Sequence, residues 1–203
     1  MSVTSPPARA VQSRSIDVRR RILAAAVDVL VEHGYAGATT LRIQDRAGVT
    51  RGRLLHHYPS RDELLIAASH QLASSRIAEL SSDTTWPEDP AERIDAAVET
   101  LSTCFTQGGY FWAATELWLA ARNHEELRAQ LLPLERELAA EVRRAADGYF
   151  GEELAAHPEF RDLREVIFTS LRGMALSRSF DPREEPIRRH IARLQRLARS
   201  VLL

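Results

Sequence analysis

Apolar residues recur every three or four positions along nearly the whole chain, the period of α-helices with one buried face. Between Asp17 and His33 these positions are Ile22, Leu23, Ala26, Val27 and Leu30, and Gly34 ends the run. A short second helix, LRIQDRA, is predicted behind an N-cap at Thr39 or Thr40 and stops at Gly48. A third, RGRLLHHY, follows a cap at Thr50 and closes at Pro59. Ser60 opens a longer helix with Asp62 and Glu63 in its first turn, where carboxylates suit the helix dipole.

Beyond the loop SSDTTWPEDP, Asp89 is a predicted cap and Pro90 a first helical residue, followed by Ile94, Ala97, Val98, Leu101 and Phe105 at helical spacing. The stretch YFWAATELWLAARN is apolar on nearly every side, which predicts an interior helix. A long amphipathic segment follows, with a kink expected at Pro133. Phe160, Leu163, Ile167, Leu171 and Met174 mark one more helix, and Ile187, Ile191, Leu194, Leu197 and Val201 mark the last, starting after Pro186. No stretch has the two-residue alternation of a strand. The expectation is an all-α protein of about nine helices.

The 203 residues are 44% hydrophobic and 27% charged, the balance of a soluble globular protein. There is no apolar run long enough to span a bilayer and no apolar leader near the N-terminus, so a cytoplasmic protein without membrane contact is expected. The single cysteine, Cys104, excludes an internal disulfide and is read as core filler. All 27 basic residues are arginine, and they are unevenly placed: residues 1–61 hold 10 Arg against 4 acidic residues, while the remainder is acidic. A basic N-terminal end suits a polyanion that the rest of the chain would repel.

The second and third helices, joined by the tight AGVT turn, form a predicted helix-turn-helix. In that motif the second helix enters the DNA major groove by its N-terminal end. Its first turn here would be Thr50, Arg51, Gly52 and Arg53. An arginine can reach guanine O6 and N7 with two hydrogen bonds, and glycine lets the backbone approach phosphate. His56, His57 and Arg61 follow on the side expected to meet phosphate. The adjacent histidines do not read as a metal pair, since neighbours on a helix point about 100° apart. No metal or cofactor is expected. An enzyme is disfavoured, because His33, His70, His124, His157 and His190 are scattered and no HExxH, CxxC, GxSxG or P-loop spacing occurs.

The run from Arg19 to Leu65 resembles the DNA-binding domain of the tetracycline-repressor (TetR) family, through Ile22, Ala25–Ala26, Leu30, Gly34, Thr39–Thr40, Ile43, Ala47-Gly48-Val49, Leu54, His57-Tyr58 and Leu64. The resemblance implies a helical homodimer that binds a palindromic DNA operator, most often as a repressor, and lets go when a small-molecule effector enters the larger domain. It implies phosphate contacts from Thr40, His57 and Arg61, and base or backbone contacts from Arg51, Gly52, Arg53, Leu55 and His56. Two residues depart from the family pattern. Gln44 stands where alanine is usual, putting a larger side chain at a helix crossing. Leu55 replaces a tyrosine and is a candidate for contact with a thymine methyl.

The expected organisation is an arm at 1–13, the DNA-binding domain at 14–60 and a ligand-binding and dimerisation domain at 61–203. Within the last, Phe105, Tyr110, Phe111, Trp112, Glu116 and Trp118 gather aromatics and one acid into a candidate pocket. A carboxylate on so apolar a helix needs a partner, with Arg122 or a ligand cation as candidates. Leu163, Ile167, Leu171, Met174, Ile187, Ile191, Leu194, Leu197 and Val201 are the candidate dimer interface. An architectural DNA-binding protein without effector is the alternative function.

Overall fold

The computed structural model describes residues 8–82, 85–106 and 109–203. Ten α-helices and no strand occur among them. They are α1 (Ala8–Gly37), α2 (Thr40–Ala47), α3 (Arg51–His57), α4 (Arg61–Ser82), α5 (Pro90–Thr106), α6 (Tyr110–Ala121), α7 (Glu125–Phe150), α8 (Glu152–Ala155), α9 (Phe160–Arg178) and α10 (Glu184–Leu202). The all-α expectation holds. The helix beyond the expected nine is α8, a single turn too short for any periodicity to reveal. Residues 8–13 of the expected arm belong to α1, and the rest of that arm lies outside the described residues.

The helix ends follow their local chemistry. Thr39, not Thr40, caps α2, its side chain accepting from the Arg42 N–H. Thr50 caps α3 in the same way through Arg53, and the Ser60 hydroxyl accepts from Glu63 N–H at 3.2 Å. Asp89 Oδ1 accepts from Glu92 N–H at 2.9 Å ahead of Pro90. At Gly34 the backbone of α1 leaves helical geometry (φ 67°, ψ 175°), a combination open only to glycine. α10 begins three residues earlier than expected. Pro186 sits in its first turn, where a missing N–H breaks no helical hydrogen bond.

The chain forms two compact units. The first runs to Ala73 and includes Trp112–Glu135. Its core is built on Ile22, Leu30, Ile43, Leu54, Leu64 and Leu65, all buried, joined by Leu117 from α6 and Leu127 and Leu131 from α7. α6 is not buried all round, as its composition suggested. Phe111, Ala113, Ala114, Leu117 and Ala121 point inward, while Trp118 and Leu119 face out.

The second unit comprises residues 74–111 and 136–203, in which α5, α9 and α10 pack on one another. Asp95 on α5 ties α10 in place. It is ion-paired with Arg199, and its backbone carbonyl accepts from Gln195 Nε2 at 3.1 Å. Arg93 closes the end of α7 by donating to the carbonyls of Tyr149 (3.0 Å) and Gly148 (3.1 Å), where that helix leaves acceptors unpaired. Cys104 lies in this unit with its thiol pushed up to about 11 by burial, the protonated state of a packing residue.

Candidate nucleic-acid interface

The α2–α3 pair is positioned by a small set of anchors. Ile43, Ala47 and Leu54 fill the core. Gly48 turns the chain in the left-handed region (φ 63°), and the Val49 N–H donates to the Gln44 carbonyl at 3.1 Å. Arg46 donates to Glu32 Oε1 at 2.9 Å and ion-pairs with its second oxygen, clamping α2 to α1. Tyr58 is buried behind α3, and its hydroxyl accepts from Arg19 Nε at 3.1 Å. Gln44 stays half-exposed at the edge, so the larger side chain is accommodated without entering the core.

This scaffold turns one face of α3 outward. Thr50, Arg51, Gly52, Arg53 and His56 are exposed, Leu55 is 37% exposed, and Thr40 and His57 are half-buried. Neither Arg51 nor Arg53 has an ion pair among the described residues. Gly52 is informative by contrast with Gly48. A Cβ added at Gly52 would meet nothing within 4 Å, and its backbone is helical. The fold has no use for glycine there and forgoes about 1 kcal/mol of helix propensity relative to alanine.

His57 lies beside His56, their rings edge-on with centroids 5.6 Å apart. Burial, then the charges of His56, Arg53 and Arg19, hold its pKa below the ordinary 6.5. A phosphate beside the ring would act in the opposite direction and raise it. DNA binding should then take up protons, so affinity should rise as pH falls through the bound-state pKa and level off below the lower free-state value. Fluorescence anisotropy of a bound fragment from about pH 8 to pH 5 measures the slope, and His57→Asn should flatten it. An unchanged slope in that variant would remove His57 from the phosphate contacts.

Arg61 is placed differently from the expectation of a free phosphate ligand. Its guanidinium lies 4.2 Å from the centre of the Tyr35 ring, Nη1 donates to the Tyr35 carbonyl at 3.3 Å, and Nη2 pairs with Asp62 Oδ1 at 3.1 Å. The Tyr35 hydroxyl donates to the same Asp62 oxygen at 2.9 Å. Arg61 therefore fastens the turn after α1. Any phosphate contact has to share a cation already held on three sides.

Glu116 also has a partner, though neither of those anticipated. Its Oε2 accepts from the Tyr35 backbone N–H at 3.0 Å, satisfying a donor at the helix break. The candidate pocket residues are shared between the two units. Phe105, Tyr110 and Phe111 belong to the second unit, where Phe105 packs edge-on against Phe111 (5.7 Å) and tilted against Phe168 (6.4 Å). Trp112, Glu116 and Trp118 belong to the first.

The candidate dimer residues need a similar correction. Leu163, Ile167, Leu171, Met174, Ile191 and Leu194 are buried within their own unit, and Ile187 and Val201 are half-buried. Of that set, Leu197 is exposed. The outward apolar residues of these helices are Val166, Leu176 and Leu197, and Phe180, between the two helices, is 91% exposed. On α9, Val166 and Gly173 lie seven residues apart and so share a face, and Phe180 follows just beyond the helix end at Arg178. A Cβ at Gly173 would meet open space.

No helix among the described residues is long and apolar enough to cross a membrane. Residues 22–68, which carry α2, α3 and their supports, match the family described as bacterial regulatory proteins, tetR family. Over 180 residues the chain is 28% identical to an HTH-type transcriptional regulator of Mycobacterium tuberculosis, covering 88% of this chain and 91% of the relative. The HTH-type transcriptional repressor AcnR of Corynebacterium efficiens is 34% identical over 70 residues, 34% of this chain and 37% of that one. The crystal structure of a transcriptional regulator from Rhodococcus sp. Rha1 shares the fold, with a TM-score of 0.69 at 22% identity over 91% of this chain and 95% of that one. The helix-turn-helix head thus matches the tetR family of bacterial regulatory proteins, and over most of its length the chain is similar to HTH-type transcriptional regulators.

Proposed function

We propose that the protein is a repressor that binds a palindromic operator as a homodimer and is released by a small molecule. Gly52 carries the DNA-binding half of this reading. It is a helical glycine that its own chain does not require, set between two arginines without ion pairs among the described residues. Arg51 and Arg53 are the base-reading candidates. Thr40, Thr50 and His57 supply phosphate contacts, and Leu55 is placed to meet a thymine methyl. Repression is supported by the name of the Corynebacterium relative, whose similarity covers about a third of the chain.

Dimerisation rests on the outward face of α9 and α10. Val166, Leu176, Phe180 and Leu197 would be covered by the same residues of a second copy, and Gly173 admits close approach. Two heads would then sit about 34–36 Å apart, one turn of DNA. Aspartate at both Phe180 and Leu197 would bury unpaired charges across the interface, at several kcal/mol on the order of that for any uncompensated charge. Sedimentation should show monomer, and binding to DNA fragments selected by the wild-type protein should collapse with it. A variant that remains dimeric places the interface elsewhere, whereas failure of the wild type to retain any fragment rejects the operator reading itself.

A further inference from the structure

Outside the DNA-binding face, the first unit carries a groove of about 410 Å³ between the end of α6 and the start of α7. It is lined by Trp118 and Arg122 on one side and by Arg128, Leu131, Leu132 and Glu135 on the other. On α7 these four residues follow helical spacing along one face. The chain turns from α6 into α7 within Arg122–His124, so Arg122 and Arg128 lie nearest that turn. Trp118, Leu131 and Leu132 come next, and Glu135 is farthest along.

The charges are therefore sorted by position. Arg122 is exposed and makes no ion pair among the described residues. Arg128 pairs with Glu125 at 3.3 Å, with side chains 57% and 87% exposed, a contact weak enough for another carboxylate to displace. The middle of the groove is apolar, and Trp118 and Leu132 are both substantially exposed there. The far end carries the Glu135 carboxylate.

We propose that this groove binds an amphiphilic monocarboxylate. The carboxylate meets Arg122 and Arg128, whose planar guanidiniums suit its two oxygens. An acyl or aryl body of roughly ten heavy atoms lies over Trp118, Leu131 and Leu132, within a volume ordinary for small-molecule sites. Glu135 sets the length and the charge pattern: a second carboxylate at the distal end meets a like charge. The ligand class is thus selected at one end by attraction and at the other by repulsion.

The test is direct binding of octanoate to the DNA-free protein by calorimetry, so its outcome does not depend on the operator reading. Octanoate should bind, octanol, which lacks the carboxylate, should bind at least tenfold more weakly, and so should suberate, with a carboxylate at each end. Arg122→Gln with Arg128→Gln should weaken octanoate at least tenfold while leaving the thermal melt in place, and Glu135→Gln should restore suberate toward octanoate. Absence of octanoate binding, binding unchanged in the double arginine variant, or equal binding of octanol would each overturn the proposal. Loss of self-association in Leu132→Asp without any octanoate binding would assign the groove to a second copy of the chain, which overturns it as well.

Discussion

Alanine at both Arg51 and Arg53 is expected to abolish operator recognition while leaving the protein folded. A two-pronged arginine–guanine contact discriminates by roughly 1–3 kcal/mol. In a dimer each substitution acts in both half-sites, so loss of one reading arginine costs roughly 2–6 kcal/mol, about 30-fold to more than 10,000-fold in affinity. The fold does not depend on either side chain. Both are exposed, neither has an ion pair among the described residues, and the α3 cap is made by Thr50 with the Arg53 backbone. The helical melt should therefore stay within about 0.5 kcal/mol of wild type, as for other surface substitutions. Each single variant should relax base preference at its own position in the half-site, and the salt dependence should flatten where phosphate contacts go with it. If the double variant retained both affinity and preference, α3 would not be the reading helix.

The head of the molecule was legible in the sequence because its determinants are local. Thr39, Thr50 and Ser60 each act on a backbone N–H three residues away. Gly34 and Gly48 mark positions whose backbone angles other residues resist. Contacts between distant residues left no such trace. Tyr35 and Glu116 are 81 positions apart, and Tyr35 and Arg61 are 26 apart. Nothing in the neighbourhood of Glu116 suggests a backbone N–H on α1, so the sequence left its partner open between Arg122 and a ligand.

Most of the candidate dimer stripe is buried in its own unit for a different reason. Periodicity identifies an apolar face, but α9 has two. The face with Ile167 and Leu171 is consumed by its own unit, and the weaker one, with Val166 and Leu176, remains outside, followed by Phe180 just past the helix end. A residue count cannot rank them, because the larger apolar face is the one a folded chain needs first. α6 shows the same limit: its composition is apolar on nearly every side, yet one side of it lines an open groove through Trp118.

The junction around Gly34 yields the second large effect. Its backbone sits at φ 67° and ψ 175°, and a Cβ added there would lie 3.0 Å from Glu116 Oε2. Gly34→Ala should carry both penalties. The conformation costs on the order of 1–3 kcal/mol for any other residue. Displacing the carboxylate leaves the Tyr35 N–H without its acceptor, at a further cost of about 1–3 kcal/mol if no water replaces it. Glu116→Ala should incur the second cost alone, and Glu116→Gln, which keeps an amide oxygen at the site, much less of it. The two sites are in contact, so their effects should not add. Once Ala replaces Glu116, the alanine at Gly34 no longer crowds a carboxylate and only its backbone strain remains. Thermal or urea unfolding of the two single variants and the double variant measures this directly: the double variant should lose less than the sum of the singles. Additive losses would mean that Glu116 does not close the helix break, and that the carboxylate is available to a ligand after all.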